Sequence, residues 1–525
     1  MKKIIVLPLV LGIVLAIGIY LGSRLVPSPR SSGYNKISDV LDYVQQEYVD
    51  TVNRKQLVDE SIEKILEQLD PHSAYIPAED LQQANEPLEG NFEGIGIEFH
   101  IQEDTIMVVT AISGGPSEQV GILSGDRIVK VDGKKVAGIK ISNEQVFKSL
   151  RGKGGTVVTA TIYRRGNPKL IDYKITRGKI PIYSIDVAYM VDQETGFIKV
   201  SRFAATTYEE FMEALAKLKK QGMTRLILDL RGNPGGFLDA ATRMADEFIG
   251  GKKILVYTQG KARPRANYYS EKSGEFEQGK LEVLIDEGSA SASEIVSGAL
   301  QDWDRATIIG RRSFGKGLVQ EQTEFPDGSA MRLTIARYYT PTGRSIQKSY
   351  GKGYAAYEEE LNDRFKNGEL INKDSIHFTD SLKFKTPAGK IVYGGGGIMP
   401  DIFVPLDTAY ESMYLNKLYA AGALNQFAYD YFDKHRSFFK EYKSAEDFRK
   451  NFTVDDALLN TFISYSVTKG VEKEEKGLAK SSTFIRLQIK ALLARLKWQN
   501  EGLYPILHEN DKTFQKALEL IRNKG

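Results

Sequence analysis

The 525-residue chain is 42% hydrophobic and 26% charged, with 71 Lys and Arg against 68 Asp and Glu and no cysteine. That length predicts several domains with ordinary cores, and a formal net charge of +3 is too small for the concentrated basic field of a duplex-binding protein, so nucleic acid is excluded as a partner. Without thiols there are no disulfides, zinc ribbons or thiol catalysis; His72, His100, His377, His435 and His508 stand at no metal-motif spacing, and neither a metal nor another cofactor is expected.

After Lys2 and Lys3, residues 4–21 are apolar except for Pro8 and small glycines. At ~1.5 Å per residue the run is about 27 Å long, near the thickness of a bilayer's hydrocarbon core. Gly18, Tyr20, Leu21 and Gly22 offer no small-x-small cleavage site, so an uncleaved signal anchor is expected. The positive-inside rule keeps Lys2 and Lys3 in the cytoplasm, which predicts an inner-membrane anchor with the rest of the chain periplasmic or otherwise extracytoplasmic. Pro27-Ser28-Pro29 and Ser31-Ser32-Gly33 complete an anchor-and-linker segment, 1–33. Residues 34–85 predict a helical module, with one stripe through Ile37, Val40, Leu41, Val44 and Tyr48 and a second through Leu57, Ile62, Ile65, Leu66 and Leu69.

From 86 to 180 short β-like runs alternate with glycine. Gly94-Ile95-Gly96-Ile97, Gly115-Pro116-Ser117, Gly121 to Ile128 and Val131-Asp132-Gly133, in that order, resemble a PDZ domain. The resemblance implies that backbone N–H groups at Gly94, Ile95, Gly96 and Ile97 receive the C-terminal carboxylate of a peptide, which adds as a strand to the sheet edge. Apolar C-termini are the expected preference.

Residues 181–406 alternate helix and strand. Thr207-Tyr208-Glu209-Glu210 reads as a capping box before a helix, and Arg225 to Leu230, Leu281 to Asp286 and Ala306 to Gly310 read as buried strands of a mostly parallel sheet. Residues 351–389 read as a polar, irregular insertion, and 407–525 as a helical extension ending in the stripe Ile485, Ile489, Leu492, Leu493 and Leu496. The fold class is thus multidomain, α+β and α/β.

Glu287-Gly288-Ser289-Ala290-Ser291-Ala292-Ser293-Glu294 follows a strand and enters a helix, so a hydroxyl there gains from the helix N-terminus, although any of the three serines could simply cap it. Lys316, between Gly315 and Gly317 and beside Phe314, Leu318 and Val319, suits burial, which would let it act as a general base; on an extended strand it shares a face with Gln320. Gly310 to Gly317 nearly matches a phosphate-binding loop, but Gly317 stands where Ser or Thr is required. No His lies between 181 and 350, so the base of any nucleophile here is drawn from another residue type. Asp229-Leu230-Arg231-Gly232-Asn233-Pro234-Gly235-Gly236 is a strand end opening into a glycine turn whose N–H groups suit a developing oxyanion.

These segments, with Asp70-Pro71-His72-Ser73-Ala74-Tyr75 before the PDZ-like module and Tyr338-Tyr339-Thr340-Pro341-Thr342-Gly343-Arg344-Ser345-Ile346 late in the core, resemble the carboxyl-terminal processing peptidases of the S41 serine peptidase family over roughly residues 35–405. The resemblance implies a ClpP/crotonase-like core with Ser291 as nucleophile, Lys316 as base, Gln320 in support, and an oxyanion hole from Ala292 and either Gly235 or Gly236. It also implies protein substrates captured by their C-termini; an adaptor protein or a second copy of the chain are partners the sequence leaves open. The rival is a non-catalytic, membrane-tethered PDZ scaffold, for which Ser291 and Lys316 would be dispensable.

Overall fold

The computed structural model describes residues 12–18, 36–378 and 380–523. Of the expected anchor, only 12–18 is described, as a helix in which Ile13, Val14, Leu15 and Ile17 are all exposed; the remainder lies outside the described residues. Among the described residues no helix is long and apolar enough to cross a membrane.

The centre of the molecule is a six-stranded sheet in the order Ile185–Met190, Thr195–Val200, Arg225–Asp229, Lys280–Ile285, Thr307–Gly310, Ile402–Phe403. Only the first pair is antiparallel. Side chains alternate across a strand, so Ile198, Leu226, Leu228, Val283 and Ile308 face a core shared with the helices Thr207–Lys220, Leu238–Asp246 and Ala292–Asp302. Phe197, Ile227, Leu284 and Ile309 face the opposite way, onto Phe514, Ala517, Leu518 and Ile521 of the final helix, Lys512–Arg522. That double burial explains why Arg225–Asp229 reads as a continuous apolar run rather than an alternating one.

A second sheet packs beside it, with Ala330–Tyr339 pairing Ala74–Ile76, Leu318–Glu324 and Ile254–Gln259. The N-terminal module contains the helices Lys36–Glu47 and Arg54–Glu67. Two strands, Asn91–Gly94 and Gly178–Pro181, pair antiparallel where the chain enters and leaves the β module. Inside that module Ile97–Gln102 is an edge strand of the sheet, paired with Thr105–Ala111.

Local expectations needed correction at two places. The helix after strand 195–200 does not use the expected capping box: Thr207 Oγ1 instead accepts from the Ala204 N–H at 2.7 Å, and Glu210 turns to accept from Ser184 and Ile185 N–H. The insertion is not irregular, for Tyr354–Lys366 is a helix. Its buried face consists of Tyr357 and Arg364, so no apolar stripe marks it in the sequence. The tail from Met413 to Leu507 forms a helical unit with its own core, in which Ile485, Ile489 and Leu493 are fully buried while Leu492 and Leu496 pack at its edge.

Candidate active site

The turn Gly288–Ala292 leaves the end of strand Lys280–Ile285 and enters helix Ala292–Asp302. Ser291 is its strained point, with φ 53° and ψ −113°, a conformation that non-glycine residues rarely adopt. Such a strand-to-helix elbow lifts a hydroxyl clear of the backbone. The three candidate serines separate here. Ser289 is fully buried and donates to Leu230 O at 2.9 Å; Ser293 is fully buried and donates to Asn233 O at 2.9 Å; Ser291 is partly exposed.

The glycine turn packs directly against this elbow. A Cβ on Gly235, whose φ is +97°, would meet Ala290 O and Ser291 Cβ at 2.7 Å and Ala292 N at 2.8 Å, so only glycine fits. The Gly235 N–H is already given to Asn233 Oδ1 at 2.9 Å. Below the turn, Asp229 takes a bidentate grip from Arg231 and an ion pair from Lys199 at 3.2 Å; burial opposes its charge, but these cations hold the carboxyl well below its usual range. Arg231 also reaches Asp511, at the N-terminus of the final helix, at 2.8 Å.

Lys316 lies just before strand Leu318–Glu324 rather than within it, and a register shift falls between Val319 and Gln320. The expected pairing nevertheless forms, with Lys316 Nζ donating to Gln320 Oε1 at 3.1 Å. Gln320 Nε2 in turn donates to His72 O at 2.5 Å. Burial lowers the affinity of Lys316 for its proton and Arg332 adds to the effect, against Asp70 and Glu294. The Asp70-Pro71-His72-Ser73 segment is folded around Asp70, which accepts from the N–H groups of His72 and Ser73, the Ser73 hydroxyl and Thr334 Oγ1.

In this structure the Lys316 amine bonds Gln320 and not the Ser291 hydroxyl; what joins the two residues is Glu294, in the first turn of the helix that follows Ser291. Its Oε2 accepts from Ser291 N–H at 2.8 Å and Lys316 N–H at 2.9 Å, and its Oε1 from Ser313 Oγ at 2.5 Å and Gly315 N–H at 2.8 Å. Burial raises this carboxyl to about 7 against all four hydrogen bonds. Tyr338 Oη forms a second bridge, within reach of Ser291 O at 3.0 Å and of Lys316 O. Glu294 and Tyr338 were not singled out from sequence. A Glu three residues after a helix-initiating Ser suggests only a cap, whereas here it also holds a loop from the next strand.

In the β module, Ile95 is buried in the core, and Ile97, Phe99 and Ile101 line the inner face of the edge strand. Phe99 meets Phe147 of helix Asn143–Leu150 edge to face at 5.5 Å. Gly96 has φ +74° and Gly94 lies beside Arg151. The outward residues of the same strand are held by the helical tail. Glu98 pairs with Arg495 at 2.9 Å, His100 stacks on Tyr429 at 4.4 Å, and Gln102 donates to Asp430 at 3.0 Å.

A strained serine elbow, a buried lysine and an edge-strand module of this kind define a serine peptidase core joined to a peptide-binding domain. Family models match accordingly: peptidase family S41 over residues 194–354, a PDZ domain over 94–175, and a family of unknown function, DUF8443, over 414–499. A carboxy-terminal-processing protease of Bartonella bacilliformis is 35% identical over 417 residues, covering 77% of this chain and 93% of that one. A "Probable CtpA-like serine protease" of Staphylococcus aureus (strain MRSA252) is 37% identical over 321 residues, covering 61% of this chain and 63% of that one. Among solved structures, a photosystem II D1 C-terminal processing protease aligns at 26% identity over 72% of this chain and 88% of its own, with a TM-score of 0.36. The chain belongs to the carboxy-terminal-processing proteases, serine peptidases of family S41.

Proposed function

We propose that the protein cleaves proteins captured by their C-termini, with Ser291 as nucleophile and Lys316 as general base on a ClpP/crotonase-like core. The carrying observation is the strained Ser291 elbow tied through Glu294 to the backbone of a buried Lys316. The neutral amine leaves Gln320 Oε1 to take the Ser291 proton as the hydroxyl attacks a peptide carbonyl; the tetrahedral intermediate collapses to an acyl-enzyme as the Lys316 ammonium protonates the departing amine, and the again neutral Lys316 takes a proton from the water that hydrolyses the ester. Gln320 returns the amine to position. Ala292 N–H, at the first turn of its helix, is one oxyanion donor, and because the Gly235 N–H is engaged by Asn233, Gly236 supplies the other.

The peptide adds along the open edge of Ile97–Gln102, its carboxylate at Gly94–Ile97 and its apolar side chains between Ile97, Phe99 and Phe147. The apolar run at 4–21, preceded by Lys2 and Lys3, supports a membrane anchor with the peptidase outside the cytoplasm and cell-envelope proteins as substrates. The test uses purified protein and an unstructured polypeptide with a free apolar C-terminus. Ser291→Ala and Lys316→Ala are each expected to lose about 10³-fold or more in kcat. Cleavage at the parent rate by both would overturn the assignment of Ser291 and Lys316.

A further inference from the structure

The insertion helix Tyr354–Lys366 packs against the loop that carries Lys316. Arg364, 2% exposed, donates to Ser313 O at 2.8 Å and Phe314 O at 3.0 Å. One face of the helix further on, Tyr357, also 2% exposed, places its hydroxyl 2.7 Å from His72 Nε2, the two rings meeting edge to face at 5.3 Å. His72 offers its carbonyl to Gln320 Nε2, and Gln320 Oε1 holds the Lys316 amine. A continuous run of hydrogen bonds therefore leads from the insertion to the candidate base.

Each link is directional. A glutamine amide has a donor end and an acceptor end, and if the acceptor for Nε2 moves, the side chain is free to rotate and present N–H groups to an ammonium that cannot accept them. The His72 carbonyl fixes that choice. His72 is itself held on its backbone by Asp70 at 2.8 Å and on its ring by Tyr357. Burial, with the nearby Lys316 charge, lowers the imidazole to about 4, and burial raises the Tyr357 phenol. Both are neutral over the working range, so ring and phenol share one uncharged hydrogen bond, whose direction follows the imidazole tautomer.

We propose that Tyr357 is a positioning residue for the general base, acting through His72 and Gln320, so that the insertion forms a wall of the active site. The proposal rests on the assignment of Lys316 as base. The other charged groups around the path have partners of their own: Lys348 lies 4.0 Å over the Tyr357 ring and pairs with Glu360 at 3.1 Å, Asp70 is occupied by Ser73 and Thr334, Arg332 by Asn85 and Gln322, and Glu294 by the loop backbone. Tyr357 thus meets His72 through its hydroxyl and through the edge-to-face ring contact, and Gln347 also reaches the phenol.

Tyr357→Phe keeps the ring against Phe314 and Lys348 and deletes the hydroxyl. With the unstructured peptide as substrate, kcat at neutral pH is expected to fall about threefold to tenfold with KM within about twofold, and the acid limb of the pH profile to move up by about half a pH unit, since a looser Lys316 gains water and holds its proton more tightly. His72→Gln, which retains a side-chain acceptor for the hydroxyl, is expected to keep more activity than His72→Leu. A parent-like rate and limb in Tyr357→Phe, or an equal loss at every pH with a lowered melting temperature, overturns the proposal. Should Tyr357→Phe not fold, equal activity in the two His72 variants overturns it. Lys316→Ala run alongside separates the failures: parent-like activity there removes the base assignment itself, whereas an inactive Lys316→Ala beside an unaffected Tyr357→Phe removes only the role of Tyr357.

Discussion

The turn carrying Ser291 and the loop carrying Lys316 lie at the ends of adjacent parallel strands, Lys280–Ile285 and Thr307–Gly310, yet they are held by different kinds of contact. The serine turn is clasped by its sheet neighbour: Leu230, Asn233 and Gly235 at the end of Arg225–Asp229 receive its hydroxyls and fill the space beside it. The lysine loop draws its support from remote segments. Ser313 donates to Glu294 and accepts from Ile398 N–H at 2.6 Å, the loop carbonyls take Arg364, and Gln320 is anchored 248 residues away at His72. The Ser291 turn leans chiefly on its sheet neighbour, whereas the Lys316 loop, besides its bonds to Ser289 and Glu294, draws on segments from across the molecule.

Glu294 is where the two regions meet, and its replacement is expected to have the largest effect. Glu294→Gln turns an N–H₂ toward donors, leaving buried groups unsatisfied at about 2–4 kcal/mol, and should lower kcat about 10²-fold or more along with the melting temperature. Gly235→Ala tests the sheet-built side alone. Its Cβ meets three atoms of the Ser291 elbow at under 3.0 Å at a φ of +97°, so kcat is expected to fall about 10²-fold while the pH limb of Lys316 stays in place. A limb that moves as well would break the distinction between the regions.

Arg364→Leu tests the other side. Loss of the two donors to Ser313 and Phe314 carbonyls is expected to cost about tenfold in kcat and to raise the acid limb, because the proposed base Lys316 must be neutral to act and burial is what lowers its proton affinity. An unchanged limb would show that the insertion serves only stability. The smallest effect belongs beneath the sheet, at His508, which is stacked on Phe514 at 3.9 Å and bonded to Tyr189. Burial lowers its imidazole from 6.5 to about 4, so the unfolded chain binds the extra proton between those values, and stability present above 6.5 is lost as the pH falls through that window. His508→Gln should remove about 3 kcal/mol of that pH dependence in denaturant titrations while leaving kcat per folded molecule unchanged.

The serine turn was legible because strand, small residues, helix start and glycine turn each leave a local mark, and Lys316 with Gln320 because their spacing survives a bulge. Among Ser289, Ser291 and Ser293 only the family resemblance pointed to Ser291, since local spacing does not tell three hydroxyls at one helix start apart; the structure adds that the other two are buried on neighbouring carbonyls. Glu294 was visible only as a cap. His72 stood out in the sequence only as part of the Asp70 to Tyr75 segment, with no role of its own, and the insertion helix carried no periodic apolar signal because its buried face is a tyrosine and an arginine.

Patterns of period two and 3.6 depend on nearest neighbours along the chain, so the core strands, most of the helices, the glycine turn and the residue types available for chemistry are legible locally. How Gln320 is anchored at His72, and that the helical tail clasps the β module through Glu98, His100 and Gln102, emerge only from packing. The tail contacts and the Gln320–His72 bond join residues 248 to 397 positions apart, and no local spacing encodes a contact that exists only once both segments have packed together.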